Sequence, residues 1–394
     1  MAVPDWIWFV FIFTFGCCIG SFLNVVIYRL PRGKSLVTPP SACPGCGKHI
    51  RFYDNIPLFS WLLLGRKCRY CKAKISARYF VIELLTALVF IGIFALYFCT
   101  DLRPGVDSFL QGGWLIYLVS ITMLAAFIAA SAIDLELLII PVSICWFVTV
   151  VALIASALGV YIIEPAEINN YALLPSIRTA FLQETTIASL SAGAAIGLVI
   201  SLLLLVTGLI KRSYESATES NEPGPGPETN HESAKTNHEP QFNDRMEVCR
   251  EILFLLPIIV CSTAAYLLIR QNSWWVDFSQ NPAIAGLLGS LWGYFVGCGI
   301  VWGTRIFGTL GFGKEAMGLG DVHLMGAAGA VIGAPMVLAA FFIAPFFGLA
   351  WAGIQMFFKK IRQIPYGPFL SLGVLVVIIL HDKIFSYLNS VFYR

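Results

Sequence analysis

Ten apolar runs, most of them about 20 residues long, constrain this chain more than any other feature. They cover residues 6–28, 79–98, 113–133, 142–163, 187–210, 252–269, 283–307, 322–334, 336–357 and 369–388. Each of the longer runs suffices to cross a hydrocarbon core as a helix. Backbone polar groups in lipid must be satisfied within the segment itself, and a helix does this run by run. The chain is 58% apolar and 12% charged, with mean hydropathy +0.78, whereas a soluble domain carries about 25% charge. The expected fold class is an all-α polytopic membrane protein with about ten transmembrane helices. The eighth run is short, and Pro335 marks either a tight turn or a kink. A kink reduces the count to nine and reverses the last span.

Lysine and arginine set the orientation of such a bundle. With the N-terminus outside, the inside loops 29–78, 211–250, 304–320 and 358–366 hold 11, 5, 2 and 3 basic residues, which is 21 of 26. The start of the chain has no basic stretch before its apolar run, and Asp5 precedes that run. It is therefore expected to stay in place as the first helix rather than act as a cleavable signal. Net charge is only +3, and no nucleic-acid partner is expected; the bilayer is.

The spans divide the chain into a first helix (1–28), a polar module (29–78), a group of helices (79–163), a stretch with two further spans (164–282) and a final group (283–394). Within the fourth part, residues 211–248 carry Pro223-Gly224-Pro225-Gly226-Pro227 and two Asn-His-Glu copies. Such a composition buries too little apolar area to order, so a disordered linker is expected there.

The module holds Cys43-Pro44-Gly45-Cys46 and Cys68-Arg69-Tyr70-Cys71. Two such pairs can close a tetrahedral zinc site, each knuckle turn supplying two thiolates. Lys48, Lys67, Arg69 and Lys72 lie nearby in sequence and offset the charge of a four-thiolate centre. Disulfides are the alternative, and a reducing compartment disfavours them. His49 is read as a surface histidine, and the other seven cysteines mostly as small buried hydrophobes.

Two aspartates stand at span ends: Asp134 in Ile133-Asp134-Leu135 and Asp321 in Gly318-Leu319-Gly320-Asp321. Both fall on the inside under the topology above. A carboxylate at a membrane helix end is costly and marks a functional hypothesis. Two that meet can hydrolyse a peptide bond, the ionised one taking a proton from water and the protonated one polarising the carbonyl. For Asp134 alone, a helix-end aspartate at the interface is the simpler alternative. Glu136 is read as a solvated interfacial charge, and Glu83 as pairing with Arg78 or lining the site.

With these residues in place the chain resembles the type IV prepilin peptidases, membrane aspartic proteases of the GxGD type. The resemblance rests on Gly20-Ser21-Phe22-Leu23-Asn24, the two CxxC pairs with Asn55-Ile56-Pro57-Leu58 between them, and Ile75-Ser76-Ala77-Arg78-Tyr79. It continues through Ile133-Asp134-Leu135, Lys314-Glu315-Ala316-Met317-Gly318-Leu319-Gly320-Asp321 and Ile364-Pro365-Tyr366-Gly367-Pro368-Phe369. It implies an endopeptidase that removes the basic leader of type IV prepilins or type II secretion pseudopilins at the cytoplasmic face of the bacterial inner membrane. Asp134 and Asp321 would be the catalytic pair, and Cys43, Cys46, Cys68 and Cys71 would hold zinc. Methylation of the new N-terminus with S-adenosylmethionine is implied as well. A transporter or assembly scaffold with a zinc-stapled loop is the non-enzymatic alternative. The chain departs from the family pattern at Val142, where an aspartate is frequent, and at His323, where lysine is usual. A pH response between about 6 and 7.5 is expected from His323. The stretch 165–281 is read as a largely extra insertion.

Overall fold

The structure is a computed structural model that describes residues 5–100, 109, 112–163, 175, 183–210, 244–357 and 364–392. Among these residues the regular elements are helices, apart from two isolated β-bridges. They are α1 (Asp5–Arg29), α2 (Phe59–Leu63), α3 (Ala77–Phe98), α4 (Gly113–Leu137), α5 (Val142–Ile162), α6 (Glu184–Val206), α7 (Asp244–Ile269), α8 (Ser273–Ser279), α9 (Pro282–Phe312), α10 (Leu319–Ile332), α11 (Ala334–Phe357), α12 (Gly367–Ile379) and α13 (His381–Phe392).

Among the described residues eight helices are long and apolar enough to cross a membrane: α1, α3, α4, α5, α6, α7, α9 and α11. The pair α12 and α13, bent by 78° after Ile379, forms a ninth. α10, with 14 residues, is a shorter apolar helix below that length, so the ten runs of the sequence correspond to eight or nine full-length spans among the described residues. The ambiguity at Pro335 resolves as a reversal. α10 ends at Gly333, whose φ of 82° favours glycine, and α11 starts at the next residue. Gly348 lies beside Phe369, and the earlier Ala340 beside the later Gly373, so contacts run in opposite order along α11 and α12. α11 therefore runs antiparallel to α12 and returns to the end of the bundle where α10 began.

Helices in lipid gain little from mutual hydrophobicity and pack by close approach, which small residues allow. A Cβ on Gly293 of α9 would sit 2.0 Å from the Gly329 carbonyl oxygen of α10, so these backbones touch directly. α1 and α3 meet in the same way at Gly20, where a Cβ would stand 2.6 Å from Glu83 Cα. The main core joins α1, α3, α4, α5, α9, α10, α11 and α12, with α4 the most enclosed of the long spans. α6 and α7 pair with each other and flank α9, where Ile187, Ala188, Trp275, Ala285 and Leu288 form a separate cluster.

The linker expected over 211–248 is corrected at its end. Residues 244–248 form the first turn of α7, and Glu247 and Val248 are buried. Polar composition hid this turn, in which the Glu247 carboxylate is held by Arg250. The rest of that stretch, 211–243, lies outside the described residues.

Candidate active site and metal centre

α4 ends one turn after Asp134. Leu138 takes a left-handed conformation, its N–H donates to the Asp134 carbonyl, and Pro141 then opens α5. This places Asp134 in the last turn of a buried helix, 6% exposed. Asp321 is the third residue of α10, just after the cap Gly318, and is 8% exposed. Ile140, in the link between α4 and α5, joins the two segments. A Cβ on Gly320 would lie 2.6 Å from Ile140 Cβ, and one on Gly367 would lie 2.9 Å from Ile140 Cδ1. The same Gly367 Cβ would stand 2.8 Å from Asp134 Oδ2. The aspartates thus occupy one end of the bundle, on segments that meet around one isoleucine.

The two carboxylates differ in what holds them. The Gly367 N–H donates to Asp134 Oδ2 at 3.0 Å, and Ser371 Oγ ties α12 to α4 through Ser131 Oγ at 3.0 Å. Asp321 Oδ1 is buried and accepts no hydrogen bond among the described residues. It is an acceptor left for a ligand or solvent, the kind of buried group that calls for a functional explanation.

Sequence reading missed the group that holds the Gly-Leu-Gly-Asp turn. Arg305, counted there as a loop charge, lies inside α9 and is 2% exposed. Its Nε donates to Glu251 Oε1 of α7 at 2.7 Å. Its Nη1 donates to the Met317 carbonyl at 2.8 Å and meets Glu315 Oε1 at 3.0 Å. Trp302 Nε1 adds a bond to Glu251 Oε2 at 3.2 Å. Met317 immediately precedes Gly318, so a buried ion pair fixes the backbone leading into Asp321. An arginine within an apolar run was the available signal.

Glu136 is exposed, as expected of an interfacial charge, and in addition pairs with Arg78. Two other expectations need correction. Glu83 does not bind Arg78; its Oε2 accepts the Leu58 N–H at 2.8 Å. The ring of His323 faces Tyr294, whose hydroxyl lies 3.2 Å from Nδ1, and Trp146. Two residues along a helix is a rotation of about 200°, so His323 projects away from the face that carries Asp321.

The four cysteines of the module come together. Their Sγ atoms all lie within 4.8 Å of one another, and Cys43 Sγ is 3.7 Å from Cys71 Sγ. Tetrahedral coordination with metal–sulfur bonds near 2.3 Å requires sulfur separations of about 3.8 Å. None of the four is in a disulfide. Two similar knuckles present them. Cys43 N–H donates to Lys48 O and Cys68 N–H to Ala73 O, and the residue after each second cysteine, Gly47 or Lys72, has positive φ. The backbone N–H groups of Cys71 and Tyr70 draw the Cys68 thiol down to about 6. Cys71, despite the Ala73 N–H, is pushed up to about 11, the neighbouring thiols of Cys43, Cys68 and Cys46 contributing. The donor set and geometry fit a four-thiolate metal site.

Fold and site together define a polytopic membrane protein with a buried aspartate pair at one end of its bundle and a four-cysteine module between its first two spans. Two family profiles match the chain: the bacterial peptidase A24 N-terminal domain over residues 14–97 and the type IV leader peptidase family over 252–353. Over these two stretches the chain is similar to the type IV leader peptidase family. The cysteines lie in the first match and Asp321 in the second, while Asp134 lies between them. A prepilin leader peptidase/N-methyltransferase of Myxococcus xanthus is 42% identical over 135 residues, covering 34% of this chain and 36% of the relative. A type 4 prepilin-like proteins leader peptide-processing enzyme of Escherichia coli O78:H11 is 42% identical over 139 residues, covering 31% and 46%. A prepilin leader peptidase/N-methyltransferase of Aeromonas hydrophila is 34% identical over 160 residues, covering 34% and 50%. The matched regions thus span about a third to a half of these curated relatives. No solved structure matches the chain.

Proposed function

We propose that this protein is a membrane aspartic endopeptidase that removes the basic leader of type IV prepilins or type II secretion pseudopilins. The observation that carries the proposal is the placement of Asp134 and Asp321, both buried, on segments joined around Ile140. Two carboxylates brought close in a poorly solvated site share one proton. The ionised member takes a proton from the attacking water, and the protonated member polarises the scissile carbonyl. Asp134 is held by the Gly367 N–H, and Asp321 Oδ1 keeps an acceptor for the water or substrate. Such a substrate keeps its leader on the basic-loop side and its apolar mature segment in the bilayer, so the scissile bond stands at the level of these helix ends.

The proposal extends to location and cofactors. The site faces the cytoplasm from a bacterial inner membrane, with the N-terminus outside, in keeping with the distribution of lysine and arginine. Cys43, Cys46, Cys68 and Cys71 hold zinc, which staples a module too small to have a large core. The names of two relatives include N-methyltransferase, and the proposal extends to N-methylation of the new amino terminus, with S-adenosylmethionine as the donor that the family resemblance implies. No residue of this chain is assigned to the donor. The domain division is the one read from the sequence, with the second family match beginning inside the stretch assigned to the insertion.

The test is incubation of the purified protein in liposomes with several purified prepilins, read by mass spectrometry of the new N-terminus. Cleavage at the leader boundary, followed by the mass of one methylene, is expected. Cleavage within the apolar segment would point to an intramembrane protease instead. Absence of cleavage with every prepilin would move the weight to a transporter or scaffold.

A further inference from the structure

One segment of the cysteine module lies where water is not its natural surrounding. Leu58, between the two CxxC pairs, packs against Cys17 of α1 and Ala87 of α3, with Phe13, Phe80 and Leu84 around it. Its N–H is held by Glu83, six residues into α3, or about 9 Å from the start of that helix. Ala87 is about 15 Å from the same start. α1 and α3 are membrane-crossing helices, and Arg78 with its partner Glu136 marks the polar level at their loop-side end. The Leu58 side chain therefore reaches well past that level, alongside the first turns of α3. α2 follows at once. Trp61 stacks on Phe80 with ring centroids 4.8 Å apart.

Among the described residues, none covers the outer face of this segment. Phe59, Leu62 and Leu63 are 63%, 58% and 85% exposed. Residues 56–65 contain no acidic or basic side chain, and Arg66 and Lys67 follow directly. The Arg66 guanidinium lies 4.7 Å over the Trp61 ring. An apolar face that enters the leaflet to a depth of about 5–10 Å, with cationic side chains at its edge, is the signature of an interfacial membrane element.

We infer that residues 56–64 form a wedge that enters the adjacent leaflet, with Phe59, Leu62 and Leu63 against lipid acyl chains and Arg66 and Lys67 at anionic headgroups. The occupant of this face is the bilayer, because the wedge is continuous with the lipid-facing surface of α3, where Val81, Leu85 and Leu88 are exposed. The wedge sets the height of the cysteine module relative to Asp134, to which α3 is linked through Arg78 and Glu136. This inference concerns membrane placement and stands whether or not the peptidase proposal holds.

The test uses the full-length protein in liposomes of phosphatidylethanolamine and phosphatidylglycerol containing a phospholipid with a diazirine in its acyl chain. After irradiation, adducts are mapped by mass spectrometry. Adducts are expected on Phe59, Leu62 or Leu63 at a level within about threefold of those on Val81, Leu85 and Leu88, and a Leu62→Glu, Leu63→Glu double variant should lose them while keeping its metal. Labelling of α3 without labelling of residues 59–63 would overturn the inference. Repetition with excess prepilin separates the other occupant: adducts unchanged by prepilin support lipid, and adducts abolished by it would reassign the face to the apolar segment of the substrate.

Discussion

Replacing Arg305 by lysine isolates what the buried ion pair does for Asp321. Arginine divides its donors between Glu251 at 2.7 Å, the Met317 carbonyl at 2.8 Å and Glu315 at 3.0 Å. A lysine ammonium at this site keeps the charge opposite Glu251 but is too compact to reproduce the fork. Arg305→Met is the wrong perturbation, because it leaves Glu251 buried without its cation and costs about 3–5 kcal/mol of stability. Arg305→Lys loses mainly the charge-assisted bond to Met317, about 1.5–3 kcal/mol. If that bond holds the turn in the geometry the transition state needs, kcat falls roughly 10- to 100-fold. KM should change little, since no substrate contact is removed. The assay is initial-rate leader cleavage in liposomes, with thermal unfolding measured on the same preparation. A variant with kcat within about twofold of wild type and only a lower melting temperature would refute the reasoning, because Arg305 would then support the fold alone.

Three further outcomes are expected. Gly367→Ala keeps the N–H to Asp134 but places a methyl 2.8 Å from Asp134 Oδ2, so cleavage should fall strongly while the melting temperature changes little; the paired measurement of both checks it. Gly293→Ala forces a methyl to within 2.0 Å of the Gly329 carbonyl, and an overpacking cost of about 1–3 kcal/mol should appear as a lower melting temperature in detergent. Elemental analysis should find about one zinc per chain, lost on chelation or in Cys46→Ser, with the 43–71 loop becoming open to protease. Metal retention should weaken as pH falls, because the thiols must release protons to bind it.

The spans were legible because lipid demands long runs without charge, and such runs stand out in any window. What ends a span is less visible. Pro335 suggested a turn or a kink, but the reversal is made by Gly333, whose conformation only the packing of α11 against α12 reveals. The first turn of α7 read as linker because Glu247 is polar, yet it is buried, as is Glu251 one turn further on. Glu251 is held there by Arg305, which basic-residue counting had placed in a loop.

At the site, the aspartates and cysteines were legible by residue type and spacing. Their supports were not. Gly367 meets Asp134 across 233 positions of chain, and no local pattern announces that contact. The same holds for Arg78 and Glu136, which are 58 positions apart. Local signals identify groups that are costly to place in a membrane. The partners that make the placement tolerable come from tertiary contact.

The measurement that tests the central claim most directly is single-turnover leader cleavage by wild type, Asp134→Asn, Asp321→Asn and the double variant, with folding verified by unfolding curves. If the two carboxylates act as one unit, each single variant should lose at least about a thousandfold in rate, and the double variant should be no worse than either. A single variant that retains cleavage within about tenfold of wild type would remove that aspartate from the chemistry and contradict the account.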